Sequence, residues 1–185
     1  MSRSPPTSAA RNSPLAWASA PFPAGTRICL LQIEAEQTSL YQGCVGELPE
    51  QQSLPIGSRQ LGQGPLRHTP PSPLELEQAI AAVEDLIMPL AHQVQADTPL
   101  LLLAPALAPL AAASRGASPL TRVQIERYFQ QLAAQAEGDP RATSLFEPTP
   151  EFAAALLIVR EWMHHLGFER LEFASSAAEL PSLYL

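Results

Sequence analysis

The side chains that could do chemistry fall into a few small groups. Glu34 and Glu36 stand two apart in LLQIEAEQTS, at the end of an apolar run, with Gln32 and Gln37 flanking them. Carboxylates at that spacing could share a divalent cation or divide acid and base roles, and a solvated strand rim has the same spacing. His164 and His165 are adjacent near the end of a helical run. Imidazolium charge is favourable at a helix C-terminus, and the pair would hold a metal only if other ligands converge on it. Arg59 and Arg67 flank LGQGPL, whose two glycines expose backbone N–H groups. The segment reads either as a small-anion site or as a flexible loop. Ser175 and Ser176 have no base near them in sequence and read as structural. Cys29 and Cys44 lack CxxC spacing or a Cys/His set and read as small buried thiols.

Composition narrows the partners. A chain of 185 residues, 46% hydrophobic, suits one domain with a real core. All eleven basic residues are arginine and the formal charge is −7, a field that on average repels nucleic acid and anionic membrane surfaces. Neither is expected as a partner. No window of about 18 apolar residues is present, which argues against a membrane span. The opening MSRSPPTSAARNSPLAWASAPFPAG has no adequate apolar h-region for a leader, so a cytoplasmic location is expected. Residues 1–25 mix Pro, Ser and Ala without periodicity and read as a flexible tail, leaving 26–185 as a single domain.

The elements that would position these residues follow from pattern. TRICLLQIEA and TSLYQGCVGE predict two strands, and QQSLPIGSRQL a third after the Leu48-Pro49 turn signal, in an antiparallel meander. Pro70 and Pro71 stop the sheet. Ser72-Pro73-Leu74-Glu75 then supplies an N-cap, an N1 proline and a glutamate that reaches back. Leu76, Ile80, Val83, Ile87, Leu90 and Val94 recur at steps of four and three, one helical face, with a kink or end near Met88 because of Pro89. TPLLLLAPALAPLAAAS begins as a strand buried on both faces and continues into a helix shortened by Pro105 and Pro109. Ser118-Pro119 and Thr149-Pro150 open helices over 119–136 and 150–166, with Gly138 and Gly167 as stops. Unbroken apolarity from Phe152 to Val159 makes the last helix central, and ERLEFAS reads as a closing strand. The fold class is α/β: a mixed sheet whose antiparallel meander is followed by helix, strand, helices and strand, the later strands running parallel.

QIEAEQTS, LPIGSRQLG, HTPPSPLELEQAIAAVEDLI, LLAPALAPLA and EFAAALLIVREWMHHLGFERLEFASSAAEL stand in an order that resembles the second, actin-like half of the Ppx/GppA family of exopolyphosphatases and guanosine pentaphosphate phosphohydrolases. The resemblance runs from about Arg27 to Leu185 and implies a ribonuclease-H-like fold. In that family this half opens with a phosphate-cradling DIGGGSTE turn whose Asp helps hold a metal ion, followed by a phrase like LPLGAVRLTE and later by a GGT turn.

Here Gln32 stands at the Asp position, Glu34, Ala35 and Glu36 at the three glycines, and Gln37 at the Ser. Glycines let N–H groups approach an anion with no Cβ in the way, whereas two carboxylates repel it. Ala104, Pro105 and Ala106 occupy the GGT positions, and Pro105 has no N–H to offer. Gly57 is kept, but Gln60 replaces the expected Arg, and Arg59 beside it would point to the opposite face of a strand. Glu179 takes a glycine position and Pro181 a basic one. The catalytic Glu of the family lies in the other half, which this sequence does not contain. The expectation is a non-catalytic domain acting through protein contacts, without cofactor or metal. A second copy or a partner protein would cover the open cleft face. Two alternatives are a phosphohydrolase subunit for polyphosphate or a guanosine polyphosphate completed by a partner chain, and a small-anion sensor built on Arg59, Arg67 and the LGQG loop.

Overall fold

The computed structural model describes residues 22–95, 97–114, 119–142, 146 and 149–174. β1 (Arg27–Ile33) and β2 (Thr38–Cys44) pair antiparallel from Arg27↔Cys44 to Ile33↔Thr38, and β3 (Glu50–Leu54) extends the meander against β2. On the other side of β1 lies β4 (Leu100–Leu103), parallel to it, and β6 (Arg170–Phe173) runs parallel to β4. A two-residue β5 (Leu120–Thr121) pairs antiparallel with β6, giving the order β3-β2-β1-β4-β6-β5 among the described residues.

Residue pattern decides which strands are central. Alternation sends Cys29, Leu31 and Ile33 to one face with Leu100 and Leu102, and Ile28 and Leu30 to the other with Val45 and Leu101. A strand apolar on both faces must be covered on both, so β1 sits inside the sheet, while the polar EQQSL of β3 holds an edge. Phe22, within the stretch read as tail, packs against the Ile28 and Leu30 cluster.

Among the described residues five α-helices join the strands: α1 (Ser58–Gln63), α2 (Pro73–Ile87), α3 (Ala108–Ala113), α4 (Arg122–Ala136) and α5 (Pro150–Leu166). α5 is the central one, packed against α1, α2 and α4. Its start is set by Thr149, whose hydroxyl accepts the Phe152 N–H at 3.1 Å, and its end by Gly167 at φ +81°. Only glycine adopts that left-handed geometry without a Cβ penalty. Ala153 through Val159 and Trp162 are buried, as the unbroken apolar run requires.

The meander, the parallel later strands, the Ser72 capping box of α2 and the break after Ile87 into a 3-10 turn at Met88–Leu90 match the sequence reading. Two elements correct it. The third strand stops at Leu54, and Ser58–Gln63 is a helix, so Arg59 does not lie on a strand at all. The helix expected from 119 begins at Arg122, because Leu120 and Thr121 are taken into the sheet and Thr121 supplies the cap, accepting the Gln124 N–H at 3.3 Å. Ser118, Ser175, Ser176, Glu179 and Pro181 lie outside the described residues.

Candidate functional site

The turn between β1 and β2 is where the resemblance would put an anion cradle, and its side chains and carbonyls bond to one another and to α1. The Glu34 N–H donates to the Gln37 carbonyl at 2.9 Å and closes the turn. The side-chain amides of Gln32 and Gln37 both donate to the Glu34 carboxylate, at 2.9 Å to Oε1 and 2.9 Å to Oε2. Glu36 pairs with Arg59. A carboxylate is therefore seated in the turn with each oxygen bonded, while the second acid is matched by a guanidinium.

The amides at the start of α1 are engaged by the same turn. Ser58 N–H donates to the Glu34 carbonyl at 2.8 Å, and Arg59 and Gln60 N–H donate to the Ala35 carbonyl at 2.9 and 3.0 Å. These donors are the ones a helix start leaves without intrahelical partners. Gly57 permits the approach, since a Cβ there would lie 2.5 Å from backbone atoms of Ala35 and Gln37. The turn and α1 thus satisfy each other.

At the second turn Ala104 is buried, and its carbonyl accepts the Leu107 N–H at 2.9 Å as Pro105 and Ala106 enter a 3-10 turn. The two arginines proposed for anion binding are separated. Arg59 lies in the first turn of α1 beside Glu36, and Arg67 follows the end of α1 with its Nε donating to the Gly64 carbonyl at 2.8 Å. The Arg67 N–H donates to Glu75 Oε1 at 3.2 Å. Glu75 also accepts from Ser72 N–H at 2.8 Å and contacts His68 Nδ1 at 2.8 Å. Burial pushes the Glu75 carboxyl up, but the bonds from Ser72, His68 and Arg67 outweigh it and hold its pKa at about 2. Cys29 is a buried free thiol pushed up by burial, against the lowering effect of its 3.2 Å contact with Thr98 Oγ1, and Cys44 is half-buried and free.

A polar network that sequence reasoning did not assemble runs along α5. Arg160 donates to Glu126 Oε2 of α4 at 2.8 Å and also pairs with Glu161. Burial works against the charged guanidinium, and these two acids more than offset it, so its pKa is raised. Its other face stacks 5.0 Å from the Phe129 ring. Arg160 borders an open cleft of about 610 Å³ shared with Arg122, Arg127 and His164. One turn further, His165 meets Glu84 of α2 and Glu161. The Glu161/His165 spacing of four was visible in the sequence, but the arrival of Glu84 from 81 residues away was not.

An antiparallel hairpin and third strand joined to parallel strands, with a helix-covered face, define a ribonuclease-H-like or actin-like α/β domain. Within that class the match is to Ppx/GppA phosphatases. The Aquifex aeolicus Ppx/GppA enzyme superposes with a TM-score of 0.66 at 19% identity over 87% of this chain and 57% of that one. An exopolyphosphatase from Cytophaga hutchinsonii gives 0.64 at 14% identity over 90% and 59%. An exopolyphosphatase-like protein gives 0.65 at 14% identity over 88% and 62%. This chain therefore spans about three-fifths of the length of the structures it resembles, and at these identities the likeness is one of fold. No model of a protein family matches the sequence, and no curated protein does. Among the described residues no helix is long and apolar enough to cross a membrane.

Proposed function

We propose that this is a non-catalytic Ppx/GppA phosphatase-like domain that acts through protein contacts, a second copy or a partner chain covering the face that would line the cleft. The observation that carries the reading is the seat of Glu34. Its carboxylate, held by Gln32 and Gln37, stands in the turn where phosphate oxygens would have to go. An entering polyanion would meet that charge at a few ångströms, and the first amides of α1, those of Ser58, Arg59 and Gln60, are already bonded to carbonyls of the turn. Arg59 is matched by Glu36, which weighs against the anion-sensor alternative.

Calorimetry with Mg²⁺ and either inorganic polyphosphate or a guanosine nucleotide tests this. The expected result is no saturable heat and phosphate release no greater than blank. Tight magnesium-dependent binding would overturn the proposal, and turnover on mixing with a co-purified partner would favour the phosphohydrolase-subunit alternative.

A further inference from the structure

The sequence alone points to no metal, and His165 is expected to do no more than favour a helix C-terminus. The fold changes its surroundings. Glu161 and His165 lie one turn apart on α5, and Glu84 reaches them from α2. The His165 Nε2 atom is 2.9 Å from Glu84 Oε1 and 3.2 Å from Glu161 Oε2. One ligand atom from each residue falls within 4.8 Å of the others, the one such cluster of three among the described residues.

The second observation concerns Glu161 itself. Its side chain is 0% exposed, Arg160 engages only Oε1, and Oε2 is buried without a hydrogen-bond donor of adequate geometry. A fully buried carboxylate oxygen left without a donor is costly and calls for a partner. His165 Nε2, 3.2 Å from it, makes its hydrogen bond with Glu84 Oε1 instead.

We propose that Glu84, Glu161 and His165 bind a divalent transition cation of the zinc class, with water completing the shell. Three features support this. Metal–ligand bonds of about 2.0–2.1 Å in a tetrahedral shell set neighbouring ligand atoms about 3.3 Å apart, close to the two separations His165 makes. The third pair can close by rotation of Glu84, whose side chain is 40% exposed and so leaves an entry path. The charges also suit a dication: Glu84, Glu126 and Glu161 against Arg160 leave −3 + 1 = −2 with His165 neutral. An imidazole nitrogen in the set selects zinc-like ions over magnesium or calcium. The ion would pin the last turn of α5 to α2, a structural clip rather than a reaction centre, independent of the β1–β2 turn.

The test uses the full chain, stripped with a chelator and titrated with Zn²⁺ by calorimetry and thermal melting. Saturable uptake of one equivalent with a rise in the melting midpoint is expected, with Mg²⁺ giving neither. Glu84→Gln, at a part-exposed position that should leave the fold intact, is expected to weaken uptake by more than about 100-fold, beyond the roughly 10–100-fold that loss of a supporting partner alone causes. His165→Gln should do the same, while His92→Gln, an exposed histidine elsewhere, should bind as the unmodified protein does. Absence of saturable uptake, or uptake unchanged by Glu84→Gln, would overturn the proposal, as would loss of uptake in His92→Gln.

Discussion

At the scale of single residues, Gly57 shows how a kept glycine can serve a different purpose from the one its surroundings suggest. Its φ of −139° and ψ of 172° are ordinary extended values, so no left-handed geometry demands glycine. Space demands it: a Cβ would sit 2.5 Å from the Ala35 carbonyl and the Gln37 nitrogen, and both are backbone atoms that cannot swing aside. Gly57→Ala should therefore force the β1–β2 turn away from α1, loosening the bonds from Ser58, Arg59 and Gln60. Overpacking of this kind costs about 1–3 kcal/mol. Urea denaturation should show a lower midpoint with little change in slope, and an unaltered midpoint would mean the turn and helix are not locked together. The exposed Glu36–Arg59 pair contributes less, about 0–1 kcal/mol by the usual measure of surface ion pairs. Glu34 and Glu36 were legible in the sequence as an anomaly, but their partners were not. With the third strand expected over residues 51–61, nothing placed Arg59 over the turn.

At the scale of elements, what could be read depended on whether an element carries its own signal. α2 announces itself by Ser72, Pro73, Glu75 and a four-and-three apolar rhythm, and α5 by Thr149-Pro150 and Gly167. α1 has no such rhythm in SRQLGQ, and its first amides bond to carbonyls of a turn more than twenty residues earlier. A two-residue strand such as β5 is equally silent, because it exists only by pairing with β6. The α2 cap makes a pH prediction. Glu75 sits at about 2 in the fold against an ordinary 4.5, because its ionised form accepts from Ser72, Arg67 and His68. A depressed carboxyl contributes stability that is fully present above 4.5 and is lost as pH falls from 4.5 toward 2. Glu75→Gln keeps a cap acceptor but removes the titration. The stability gap between the unmodified protein and Glu75→Gln should hence be widest above pH 4.5 and narrow as pH drops through that window, measured by thermal melting at fixed ionic strength. A gap independent of pH would show that the cap draws nothing from the charge.

At the scale of the whole molecule, the sheet and helices reproduce a fold found in proteins whose chains are considerably longer, and in the β1–β2 turn the Glu34 carboxylate is held by the neighbouring Gln32 and Gln37 side chains. If the domain works by contact, its net charge sets how association responds to salt. Two copies each carrying −7 repel at long range, and apolar or hydrogen-bonded contacts must overcome that repulsion. Screening shortens its reach from about 30 Å at 0.01 M salt to about 3 Å at 1 M. Self-association should accordingly strengthen as salt rises, seen in light scattering after size exclusion as a growing dimer fraction at constant protein concentration. A partner bearing a basic surface would behave in the opposite sense, its complex weakening with salt, so the sign of the salt response tells a second copy from a complementary chain. A protein that stays monomeric across salt and concentration, and retains no partner from host lysate at low salt, would remove protein contact as the role of this domain.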